Sequence, residues 1–208
     1  MYTYWDMMYM MRPDAPANDL APLPPATEVE TKQVLRKAIS ANAELARLKG
    51  YCSLLPNVSI LLNTILLKEA RASSEIENII TTQDALYEAL ATDQTRIDSE
   101  TKEVLDYRRA TWRGFSLLCE SGLITTRTIT TIQEELEGNN AGIRKLPGTA
   151  LLNQSTGEVI YTPPDNEQSI RDLLTNLEHY INTPSETDAL IKMAVLHYQF
   201  ESIHPFYD

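Results

Sequence analysis

The sequence predicts an all-α protein with one small β-hairpin, and three observations carry that expectation. Apolar residues recur at three- and four-residue steps along most of the 208 residues, the spacing of one helix face. Strand-like character is confined to one place, two short runs around Gln154-Ser155-Thr156-Gly157. No apolar run approaches the ~20 residues that span a bilayer.

The elements follow in order. Residues 13–27 hold five prolines among small and acidic residues; proline fixes φ and removes a donor, so 1–27 is expected to be an extended arm. From Glu28 the pattern turns helical, with Val34, Leu35, Ala38, Ile39, Leu45 and Leu48 in period and Gly50 as the expected stop. Further helices are expected over 60–73, 82–92, 98–121 (with Gly122 just beyond) and 128–136, the last ending near Gly138. The hairpin strands are placed at 149–153 and 158–162, and Pro163-Pro164 ends the second because proline cannot donate to a ladder. The helical period returns over 166–181. Ser185-Glu186-Thr187-Asp188 resembles a capping box that opens a helix from Asp188 to about Ser202. That helix is apolar on nearly every side, as a central helix is.

Composition narrows the function. The net charge is -11 with no long basic run, a field that repels phosphate backbones and anionic lipid. Nucleic-acid and membrane partners are therefore not expected, and a helical DNA-binding regulator is disfavoured. Cys52 and Cys119 sit in apolar helical contexts without a metal or redox spacing, and are expected to be buried free thiols in a reducing compartment. The first ten residues lack the layout of a signal peptide, so a cytoplasmic protein is expected.

Chemistry gathers at the end of the last helix. Pro205 disfavours the right-handed helical conformation at His204, so the helix should stop at or before His204. A rigid helix then aims an imidazole that can accept a proton near neutral pH. Asp208 offers a carboxylate of the kind that holds Mg2+. A nearby His and Asp are common, and these residues alone leave packing and catalysis both open. His197, Glu201 and His204 share a helix face, which permits a zinc site geometrically, but they lack the His-Glu-x-x-His order. His197 is expected to be a packed core histidine and Glu201 a helix-end partner.

Phe200-Glu201-Ser202-Ile203-His204-Pro205-Phe206-Tyr207-Asp208 resembles the first part of the Fic signature, H-P-F-x-[DE]-G-N-G-R. The apolar run Leu190–Phe200 is similar to that family's core helix, the stretch from Gly142-Ile143-Arg144 to Pro163-Pro164 to its strand flap, and residues 28–95 to its preceding helical region. The implied division is an arm at 1–27, an N-terminal helical region at 28–95 and a Fic core at 96–208.

The resemblance implies a fold, a Fic-like helical bundle with a hairpin flap, and an activity, protein adenylylation. His204 would be the general base, taking a proton from a hydroxyl of a target protein that attacks the α-phosphate of ATP. Asp208 would bind Mg2+. Leu151, Leu152, Val159, Ile160 and Tyr161 would form the flap that pairs with an extended target segment. Ser73-Ser74-Glu75-Ile76-Glu77-Asn78 resembles the family's inhibitory motif, [ST]-x-x-x-E-[GN], with Ser73, Glu77 and Asn78 in its defined positions and Glu77 as the brake.

The G-N-G-R half of the signature does not follow Asp208 here. A fragment of a longer chain, or a remainder that follows separately, is expected; a natural truncation is the other reading. A chain ending at Asp208 would bind ATP poorly and expose apolar surface on Leu190–Phe200. The alternative function is a non-catalytic interaction module of Fic-like fold, with a homodimer as the expected assembly.

Overall fold

The computed structural model describes residues 13–76, 78–91, 97–153 and 155–207. Among them seven helices and one two-stranded antiparallel sheet occur: α1 (Lys32–Cys52), α2 (Val58–Ile76), α3 (Gln83–Ala91), α4 (Ser99–Ser121), α5 (Thr126–Glu137), β1 (Leu151–Leu152), β2 (Val159–Tyr161), α6 (Glu167–Asn182) and α7 (Ala189–Ile203). The protein is all-α with a small hairpin. No helix among the described residues is long and apolar enough to cross a membrane.

By contact the chain forms two units, one of residues 41–140 and one of residues 1–40 with 141–208. These cuts differ from the 27/28 and 95/96 divisions expected from sequence.

In the 41–140 unit, α4 is the common partner of α2, α3 and α5. Ala70, Leu86 and Val104 are its apolar centre, with Leu105 and Tyr107 against them. Asn63 on α2 fixes the α2–α4 contact, because its Oδ1 accepts from Arg108 Nη2 at 2.8 Å and from Trp112 Nε1 at 3.3 Å. Gly114 lets α4 and α5 approach closely, since a Cβ there would lie 2.6 Å from Ile132 Cδ1. Asp98 caps α4 by accepting from the Thr101 N–H, and that hydrogen bond holds its carboxyl below the usual range. Gly122 and Gly138 close α4 and α5 in left-handed conformations.

In the other unit, α6 turns Ile170, Leu173, Leu174 and Leu177 inward at helical spacing and packs along α7. Residues 13–30 are strapped onto this unit. The Ala17 N–H donates to Thr162 O at 3.0 Å, Leu23 and Asn176 exchange two hydrogen bonds, and Gln199 Nε2 donates to Ala21 O at 2.9 Å.

Several expectations are corrected. Helix α1 runs through Gly50 to Cys52, and Ala38 is its one buried residue. Its apolar stripe, including Val34, Ile39 and Leu45, stays exposed, so the period marked a helix but not a buried face. Helix α7 is likewise not buried all round: Ile191, Gln199 and Ile203 are buried, while Met193 and Tyr198 are exposed. Its cap is Asp188, whose carboxylate accepts from the Leu190 and Ile191 N–H groups. Ser185 instead bonds the Thr187 N–H, too far upstream to serve the first turn. Cys119 is exposed and Cys52 half-buried, both free thiols.

Candidate active site

The end of α7 is built from three directions. The helix stops at Ile203, and His204 takes the left-handed conformation (φ 45°, ψ 65°) while its N–H donates to Phe200 O at 3.0 Å. That is the single-bond left-handed cap, at a position where glycine is the usual residue. Pro205 explains the stop, as expected; the sign of φ at His204 was not legible. Among the described residues only Asn78 and His204 have positive φ without being glycine.

The last turn leaves carbonyl oxygens without helical donors, and neighbouring segments supply them. Arg144 is fully buried. Its Nε donates to His204 O at 2.6 Å and its Nη2 to the carbonyls of Pro164 and Ile203. Its own N–H donates to Pro205 O at 2.9 Å. Tyr161 Oη donates to Ser202 O at 2.8 Å. Burial pushes the Tyr161 phenol up to about 12, with Tyr198 adding to the shift. Tyr207 Oη accepts from the Lys145 N–H at 2.7 Å, and Phe206 lies against Phe200 with ring centroids 6.3 Å apart.

The hairpin joins this assembly at one end. Leu151 pairs with Tyr161 and Leu152 with Val159, with an irregularity between the two leucines. Val159 and Tyr161 are half-buried, whereas Leu151, Leu152 and Ile160 are exposed. Alternation along a strand produces this split: the Tyr161 side tethers β2 to α7, and Ile160 lies on the solvent side. The strands are shorter than the runs 149–153 and 158–162 suggested.

The stretch expected to be inhibitory, from Ser73 to Asn78, lies in the 41–140 unit, at the end of α2. The Ile79 N–H donates to Ser74 O at 3.0 Å and the Asn78 N–H to Glu75 O at 3.2 Å, the paired bonds of a Schellman motif. Asn78 is its left-handed residue, with φ 65°. Ser73 Oγ donates to Glu69 Oε1 at 3.4 Å. Glu77 and Asp208 lie outside the described residues.

His197 corrects its expectation. It is exposed on α7, 3.8 Å from Glu201, because its face of the helix meets solvent. Among the described residues no group of three His, Cys, Asp or Glu side chains is arranged to hold a metal.

Comparison with known families matches residues 35–116 to the Fic/DOC family N-terminal region and residues 123–208 to the Fic/DOC family. The chain belongs to the Fic/DOC family. Membership supports a Fic-type transferase. Sequence reasoning singled out His204 and the hairpin but missed Arg144 as a structural partner of the segment that follows α7; Arg144 stands beside Lys145 in sequence, and no local signal set it apart.

Proposed function

We propose that this Fic protein is a protein adenylyltransferase that acts in the cytoplasm, using ATP and Mg2+, and that Glu77 holds it in check. The observation that carries the reading is His204 at the left-handed cap of α7, half-buried, its backbone bonded to Phe200 and Arg144. A fixed imidazole can take the proton of a target hydroxyl as its oxygen attacks the α-phosphorus. The α–β bridging P–O bond breaks, AMP joins the hydroxyl oxygen and pyrophosphate leaves. Asp208 is the oxygen donor suited to Mg2+, which when bound neutralises phosphate charge. The exposed edge residues Leu151, Leu152 and Ile160 would present the target segment.

The brake reading rests on the motif at Ser73, Glu77 and Asn78, and is supported by its [GN] position. Asn78 is left-handed, and glycine and asparagine are the residues that accept that conformation at least cost. Incubation of the intact protein with labelled ATP and Mg2+ tests both parts. Glu77→Gly should raise AMP incorporation above wild type, and His204→Ala in that background should remove it. Equal incorporation in wild type and Glu77→Gly would overturn autoinhibition. Incorporation that survives His204→Ala would overturn the base.

A further inference from the structure

Pro205 has no N–H, so the residue after His204 cannot close the helix end with a backbone donor. With the His204 N–H committed to Phe200 O, other donors must meet the carbonyls of Ile203 and His204. A guanidinium suits the task because its planar donors address several oxygens at fixed angles. Burying one is costly unless it is well hydrogen-bonded. Arg144 is fully buried, 60 residues from His204 in sequence, and donates to the carbonyls of His204, Ile203 and Pro164.

We propose that Arg144 is a positioning residue for His204: its guanidinium, bonded to the last carbonyls of α7, holds His204 in its left-handed conformation and so fixes where the imidazole stands. Pro164 O ties the same guanidinium to the foot of β2, and the Arg144 N–H to Pro205 O binds the loop a second time. A lysine would keep the charge but present a compact ammonium instead of a fork. The kinetic part of this inference rests on the reading of His204 as the base; the conformational part does not.

The test uses the intact protein with Arg144→Gln and Arg144→Lys, in the Glu77→Gly background for kinetics. Amide hydrogen exchange reads the His204 N–H. Both variants should exchange it at least about 10-fold faster than wild type, with the Leu196 and Leu174 amides unchanged. kcat for AMP transfer should fall about 100-fold in Arg144→Gln, as a misplaced catalytic group implies, and KM for ATP should stay within about 2-fold. Arg144→Lys should recover only part of kcat. If His204 exchange is unchanged in both variants, the proposal falls whatever the activity. It also falls if exchange rises alike throughout α6 and α7, or if His204 loosens and kcat holds. If the Arg144-containing protein itself transfers nothing while His204 alone loosens in the variants, the positioning stands and the adenylylation reading falls. Should Arg144→Gln not fold, Arg144→Lys decides by the same exchange measurement.

Discussion

Among the described residues two helices end on a left-handed residue that is not glycine, and the two ends are held by different means. At the end of α2, Asn78 closes a Schellman motif of nearby backbone, with Ile79 and Asn78 donating to Ser74 and Glu75. Asparagine tolerates the left-handed region, so local chemistry suffices. At the end of α7, His204 makes one local bond, to Phe200 O, and distant partners add to it: Arg144 on the His204 carbonyl and Tyr161 on that of Ser202. A cap made locally costs little to keep and little to change. A cap braced from afar is fixed beyond what its own local bond does, which is what a reacting group needs.

That contrast can be tested. The largest effect is expected from His204→Gly in the Glu77→Gly background. Glycine accepts φ 45°, so thermal unfolding should hold near its usual temperature while transfer drops by about 10²–10⁴-fold; an equal loss of fold would break the distinction between shape and chemistry. Next comes Asn78→Val. A β-branched residue in the left-handed region should cost about 1–2 kcal/mol, read by denaturant unfolding, whereas Asn78→Gly should be near neutral. If valine were tolerated, the α2 cap would not depend on its residue.

Tyr161→Phe tests the remote cap more gently. Losing the bond to Ser202 O should cost about 1 kcal/mol. The phenol also predicts a pH signature. Its folded value is raised to about 12 from 10.0, so the unfolded chain loses the proton first. The resulting stability is full below pH ~10 and is lost as pH rises through ~12. Unfolding curves in that window should flatten in Tyr161→Phe relative to wild type. The smallest effect is expected at α6, which offers a third case: Lys192 Nζ donates to Ile181 O at 3.1 Å and Thr183 O at 2.8 Å. Lys192→Met should cost about 0.3–1 kcal/mol, in the range of an exposed cation at a helix C-terminus, and less in high salt.

The sequence was most legible where the cause is local. Gly122 and Gly138 marked the ends of α4 and α5 because left-handed caps favour glycine. Pro205 marked the end of α7 because of its effect on the preceding residue. Legibility failed where the cause is long-range. The apolar period of Val34 to Leu48 gave a helix correctly but could not say that its stripe is exposed. Gly50 was read as a stop, yet α1 continues to Cys52, because helical glycine is only unfavourable, not forbidden. At the site, His204 could be named from its motif. Arg144 could not, since nothing at 142–146 announces three carbonyl acceptors some 20 to 60 positions away.

The strap of residues 13–30 gives the molecule an order of assembly. Its partners Thr162, Asn176 and Gln199 lie beyond the whole 41–140 unit, which is one unbroken stretch of chain. During synthesis α2 to α5 emerge together and pack on one another first, as contiguous units do. The Pro-rich arm, made before them, meets Thr162 and Asn176 only once β2 and α6 have been made, and Gln199 only with α7. The His204 end is thus completed only after α2, which carries Ser73 and is closed by Asn78, has been made.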